Sequence, residues 1–218
     1  MLSKLKATFT LSGVFLGVLL SSAPAAAEII DFGTINGPTF YNQVTPGGAQ
    51  GPVLVFSGVT FTGGVVLNSS TISPSIPGQS PNYYSTSDSA TLADGSHLPG
   101  VITATLTNPV SYVSFDVLNG YPQPSILTLS GFSASGQLLA TGTVPLDPFF
   151  SGAGELGSVS ISAPGISEVT LTSDQPPGSV DFGVSQATFV PEPATWVLLS
   201  IGASGFFLYR RKTRSLSR

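Results

Sequence analysis

The sequence predicts an all-β fold, an antiparallel β-sandwich or jelly roll, with an N-terminal signal helix and a C-terminal transmembrane helix. Three observations carry this prediction. Apolar residues in the middle of the chain recur with a period of two, as half-buried strands require. Turn-forming pairs punctuate these runs at fairly regular intervals. No stretch of residues 28–189 shows the 3.6-residue period of an amphipathic helix.

At the N-terminus, Lys4 and Lys6 precede the apolar stretch Ala7 to Leu20, and Ala25-Ala26-Ala27 supplies the small residues that signal peptidase requires. Residues 1–27 are therefore expected to be a signal peptide cleaved after Ala27, with Ala25 and Ala27 as the recognition positions. A retained N-terminal anchor is the weaker alternative, because the apolar stretch is short for a stable span.

Residues 28–189 are expected to form one β-sandwich domain. The first part, to Pro99, is rich in Gly, Pro and Ser; Asp31-Phe32-Gly33 and Val53 to Phe61 are expected as early strands, and Ser69 to Ser89 as a long loop. The alternation then becomes regular in Ile102/Ala104/Leu106, Val113/Phe115/Val117, Val159/Ile161, Val169/Leu171 and Val180/Phe182/Val184. Turns are expected at Asn108-Pro109, Asn119-Gly120, Ser135-Gly136, Pro164-Gly165 and Pro176-Pro177-Gly178, leaving strands of about five to nine residues.

Beyond this domain come Pro191-Glu192-Pro193, the apolar run Ala194 to Tyr209, then Arg210-Arg211-Lys212 and a tail ending at Arg218. As a helix the apolar run would be about 24 Å long, against roughly 30 Å of bilayer hydrocarbon. It is marginal as a permanent anchor and suits a transient one, with the basic cluster as a cytoplasmic membrane stop.

Every Lys and Arg of the chain lies in the two terminal segments. The region from Glu28 to Val190 has ten carboxylates and no basic residue, so its formal charge is −10, whereas the whole chain is at −4. Such a surface cannot neutralise phosphates, which excludes nucleic acid as a partner. Each carboxylate must be solvated, held by neutral donors or bound to a cation. There is no cysteine, hence no disulfide framework.

Catalytic residue types are scarce. The one histidine, His97, lies in Asp94-Gly95-Ser96-His97, a segment whose Gly and Pro flanks suit an exposed turn better than a converging triad. No nucleophile elbow, zinc-protease helix or phosphate loop is present, so a non-catalytic protein is expected. The aromatic residues Tyr83, Tyr84 and Tyr121, and Phe149-Phe150 beside Pro148, are candidates for stacking on sugar rings or for covering the edge of the sandwich.

The segment from Val190 to about Arg214 resembles the PEP-CTERM sorting signal, by its Pro-Glu-Pro motif, apolar helix with Trp196 near its start, and terminal basic cluster. The resemblance implies recognition by exosortase, a membrane protease-transpeptidase, after export; an ordinary single-pass anchor is the alternative. Residues 101–189, through Val-Ser-Phe-Asp at Val113 to Asp116, the hairpin around Ser135-Gly136 and the final Val180-Asp181-Phe182, resemble galactose-binding-like jelly rolls. That resemblance implies a sugar ligand, with calcium as an optional cofactor held by Asp181 together with Asp31 or Asp116; the alternative is that these aspartates simply face solvent. Together the two imply an exported component of the cell surface or exopolysaccharide matrix, or else a carbohydrate-binding module there.

Overall fold

The computed structural model describes residues 26–45, 48–68, 82–149 and 155–192. Ten strands run in chain order: β1 (Glu28–Asp31), β2 (Val53–Val55), β3 (Val59–Thr62), β4 (Val65–Asn68), β5 (Asn82–Ser87), β6 (Ile102–Asn119), β7 (Ser125–Phe132), β8 (Leu138–Leu146), β9 (Leu156–Ser173) and β10 (Asp181–Pro191). Two short 3-10 turns, Phe32–Thr34 and Tyr41–Gln43, follow β1. The signal peptide up to Ala25, Pro193, and the expected transmembrane and basic segments lie outside the described residues. Among the described residues no helix is long and apolar enough to cross a membrane.

All strand pairings are antiparallel, and they define an all-β sandwich. The front layer runs from β4 and β5 through β10 and the second half of β6 to the first half of β9, with β1 joining β10 beside β5. The back layer runs β2, β3, the first half of β6, the second half of β9, β7 and β8. Both β6 and β9 thus belong to both layers. Each is 18 residues long, where two shorter strands and a turn were expected.

Two of the expected turns, Asn108-Pro109 and Pro164-Gly165, are bends within continuous strands, whereas Asn119-Gly120, Ser135-Gly136 and Pro176-Pro177-Gly178 fall at strand ends or between strands as expected. Pairing of β6 with β9 is irregular between Thr105 and Val110, where Asn108-Pro109 falls, because proline has no N–H for the ladder. In β9, Gly165 takes φ +82°, a value glycine reaches without a Cβ clash, and the strand turns the corner at Pro164-Gly165. Strands that cross between layers in this way are how sandwich corners form.

The two layers meet through the residues that the period of two picks out in β6, β9 and the start of β10, joined by residues of β7 and of β10 beyond its bulge. Val113, Phe115 and Val117 of β6, Leu127 and Leu129 of β7, Val169 and Leu171 of β9, and Phe182, Val184, Ala187 and Phe189 of β10 are all buried in one core. An extra residue in β10, between Val184 and Gln186, keeps apolar side chains inward on both sides of the bulge. Phe61, from the back layer, packs 6.1 Å from both Phe115 and Phe189 of the front layer and 5.7 Å from Tyr84, in ring-centroid distance. Burying each such ring contributes about 2–3 kcal/mol.

A smaller core of Val44, Val65, Leu67, Leu92 and Leu98, with Tyr41 against it, lies outside the main one. β5 is therefore buried along its whole length. The expected long loop at Ser69 to Ser89 is corrected in this part: Asn82–Ser87 is a strand between β4 and β10. Its sequence, Asn-Tyr-Tyr-Ser-Thr-Ser, has no apolar alternation because both of its faces are covered.

Candidate functional site

β10 leads directly into the Pro-Glu-Pro motif. Its last residues still pair with β6, Val190 opposite Tyr112 and Pro191 opposite Val110, with a register shift between them. Ser111 Oγ reaches the carbonyl oxygens of both Val190 and Pro191 at 3.4 Å. Proline ends the ladder here, since it brings no donor. The next side chain turns back onto the domain: the Gly165 N–H donates to Glu192 Oε1 at 2.5 Å. Gly165 is the positive-φ residue of the β9 corner, so the bend that shapes the sandwich also places this donor. A charge-assisted bond of this kind is stronger than a neutral one. The first two residues of the motif are thus part of the folded domain.

The aromatic candidates fall differently from expectation. Tyr83 and Tyr84 are in β5 and buried, at 5% and 0% exposure, so neither presents a ring face on which a sugar could stack. Tyr84 stacks on Phe32 at 5.3 Å in the main core. Its hydroxyl accepts from Gly64 N and donates to the Pro52 carbonyl, both at 3.0 Å, and burial pushes its pKa well above the usual value of 10. Tyr121 follows β6 and is half-buried; its N–H is held by Asn119 Oδ1 and its carbonyl receives Phe149 N.

The three carboxylates named as a calcium set do not converge. Asp31 and Asp116 stand opposite Gln186 from its two sides, in β1 and β6, which separates them by two strand spacings, about 9.5 Å. Asp31 Oδ1 caps the first 3-10 turn by accepting from Gly33 N at 2.8 Å. Asp181 sits at the other end of β10. Among the described residues no group of three His, Cys, Asp or Glu comes close enough to hold a metal ion.

Asp181 has a different environment, which sequence reading missed. Tyr41 Oη donates to its Oδ1 at 3.1 Å across 140 residues of sequence. Burial pushes the Asp181 carboxyl up, the Tyr41 bond pulls it back and the charge of Asp88 adds to the rise, giving about 6. Asp88 in turn accepts from the Gly178 and Val180 N–H groups, tying the start of β10 to the end of β5. No spacing rule links Tyr41 to Asp181; the only visible signal was a domain with acids and no bases.

The segment around His97 forms the expected exposed turn. Asp94 Oδ1 accepts from Ser96 N and Ser96 Oγ, at 3.0 and 2.6 Å, which holds its pKa below the ordinary value. His97 Nδ1 faces the Ala90 carbonyl at 3.2 Å. The acid orients the serine and the histidine turns elsewhere, so these residues do not form a relay. Beside the turn lies an open cleft of about 430 Å³, lined among others by Val53, Thr62, Ser96, His97, Leu98 and Thr103.

Residues 189–212 match the PEP-CTERM protein-sorting motif. No curated protein matches the chain. Among solved structures, a DUF4465 family protein from Bacteroides caccae is similar at a TM-score of 0.41 and 12% identity, over 80% of this chain and 96% of that one. The catalytic unit of a GH87 α-1,3-glucanase from Streptomyces thermodiastaticus is similar at 0.38 and 11% identity, over 78% of this chain. The present chain spans only 27% of that unit. A family 6 carbohydrate-binding module is similar at 0.28 and 14% identity, over 60% of this chain and 95% of the module. Likenesses this distant fix neither ligand nor activity.

Proposed function

We propose that this protein is an exported, non-catalytic component of the cell surface or exopolysaccharide matrix, delivered there by exosortase processing at Pro191-Glu192-Pro193. The observation that carries the reading is the sorting motif matched at residues 189–212. The motif implies export and a membrane-anchored intermediate before surface display. The apolar run 194–209, the membrane stop Arg210-Arg211-Lys212 and the N-terminal signal with Ala25 and Ala27 support the same route.

In this route signal peptidase releases Glu28 as the new N-terminus, the C-terminal helix holds the chain in the inner membrane, and exosortase reads the motif outside. Removal of both ends takes away every basic residue and leaves the −10 domain. Delivered to a surface rich in polysaccharide, that domain carries no cation for polyanions and offers hydroxyl-lined strand faces in their place. A carbohydrate-binding role is the second reading, favoured by the open cleft beside His97; calcium at any of Asp31, Asp116 or Asp181 would have to bind singly.

The test is to follow the C-terminus in the native host. Replacing Pro191-Glu192-Pro193 by three alanines should leave the tail attached and the protein in the membrane. Wild-type kinetics of tail removal in that variant would overturn the sorting role.

A further inference from the structure

The outward face of the back layer carries a pattern that the sorting reading does not use. Thr60-Phe61-Thr62 in β3, Thr103-Ala104-Thr105 in β6, Thr128-Leu129-Ser130 in β7 and Thr170-Leu171-Thr172 in β9 each place two hydroxyls on one face and a core residue on the other, and Thr141-Gly142-Thr143 in β8 does so with a half-buried glycine turned inward. Strand register aligns them. Thr62 is opposite Thr103, Thr103 opposite Thr170, Thr170 opposite Ser130 and Ser130 opposite Thr141, giving one unbroken row across five strands. At about 4.8 Å per strand the row is about 19 Å long.

Two further observations set this row apart from an ordinary solvated sheet. First, none of its five hydroxyls makes a side-chain hydrogen bond among the described residues. Several hydroxyls on the front layer are engaged, Ser114 with Ser158, Ser162 with the Ser111 carbonyl, and Ser111 with Val190 and Pro191, and beside the row Thr172 Oγ1 donates to the Thr128 carbonyl. Second, the row runs into the cleft, whose floor includes Thr62 and Thr103 and whose wall is the Ser96–Pro99 segment. The sheet face therefore has a walled end, with the His97 ring beside it.

Charge selects among partners. Within the back-layer parts of these strands only Glu168 is ionisable, in a domain whose ten carboxylates, Glu168 among them, have no compensating base. A polyanion is repelled and a polycation finds one carboxylate; a neutral chain of hydroxyls finds donors and acceptors at each strand. The threonine methyls add apolar area that suits the C–H faces of sugar rings. Shape selects further. A sheet twists by about 20–25° per strand, so over four spacings the row turns by about 80–100°, which a flat crystalline surface cannot follow and a single flexible chain can.

We propose that this row, from the His97 cleft to Thr141, binds a single chain of a neutral polysaccharide. The strand spacing offers one hydroxyl per sugar unit of an extended glycan, and the cleft is large enough to take its terminal units. The site gives a ligand class to the matrix reading above, but it does not depend on sorting: tail processing and glycan binding can each fail while the other succeeds.

The test is affinity electrophoresis of the full chain, solubilised in detergent, through native gels containing mixed-linkage β-glucan, dextran or alginate. Retardation by at least one neutral glucan, and none by alginate, is the expected result. Thr103→Val with Thr170→Val keeps the β-branched shape and removes two hydroxyls from the row; it should weaken retardation about tenfold. Ser158→Ala, on the front layer, should leave retardation unchanged. Equal melting temperatures keep the comparison independent of folding. No retardation by either glucan, retardation by alginate alone, or full retardation of the double threonine variant overturns the proposal.

Discussion

Replacing Tyr84 by phenylalanine removes one oxygen from the main core and leaves its shape unchanged. The ring contacts with Phe32 at 5.3 Å and Phe61 at 5.7 Å survive, so the loss is confined to the hydroxyl. That hydroxyl makes two bonds of 3.0 Å, accepting from Gly64 N and donating to the Pro52 carbonyl. Gly64 is buried, so its N–H would be left without water or partner, at a cost of about 1–3 kcal/mol; the bond to Pro52, at a half-buried position, adds about 1 kcal/mol. The expected destabilisation is about 2–4 kcal/mol. In a domain of this size that lowers Tm by about 6–12 °C. Urea denaturation of the processed protein should show a lower midpoint with an unchanged slope. Tyr121→Phe, in a half-buried loop, should change stability by less than about 0.5 kcal/mol. A Tyr84→Phe protein as stable as wild type would refute the placement of this tyrosine in the core.

Three other outcomes are expected. Asp181 binds its proton more tightly folded, at about 6, than at its ordinary value of 3.8. Stability should therefore fall as pH rises from about 4 to about 6 and stay at the lower level above, by at most about 3 kcal/mol. In Asp181→Asn this component disappears, so the variant should gain on wild type across that window in thermal melts at stepped pH. Gly63 has φ +88°, and a Cβ there would lie 2.0 Å from the Val101 oxygen, so Gly63→Ala should cost about 3 kcal/mol or more by denaturation. At Gly136, φ +77° with nothing within 4 Å, alanine should cost only about 1 kcal/mol. Finally, a four-residue Gly-Ser insert between Val190 and Pro191 frees the motif from Ser111 and Gly165. Pulse-chase should show faster tail removal, because Glu192 no longer has to leave its donor.

The period of two was sufficient for the sandwich and for much of its core, since inward Val113, Phe115, Val169 and Leu171 repeat in a pattern that the chain itself displays, whereas Phe189 lies beyond the bulge that shifts the phase of β10. Strand limits were harder to read. Asn108-Pro109 and Pro164-Gly165 are turn signals by local chemistry, yet both sites are bends, because tertiary pairing on either side of them continues. β5 was hidden for the opposite reason: a second cover of Val44, Leu92 and Leu98 lets a polar strand be buried. The same cover took Tyr83 out of solvent and brought Tyr41 to Asp181, a contact that depends on the whole fold. The Pro-Glu-Pro motif was legible because it is linear, whereas its capture by Gly165 required the corner of β9. The Thr-Xaa-Thr repeats stand in the sequence, but only register turns them into a row.

Intact mass spectrometry of the surface-released protein from a host with active exosortase tests the central claim most directly. The predicted species begins at Glu28 and ends within or next to Pro191-Glu192-Pro193, without any lysine or arginine from the tail. A surface protein that still carries Arg210 to Arg218 would contradict it and make the C-terminal segment an ordinary anchor.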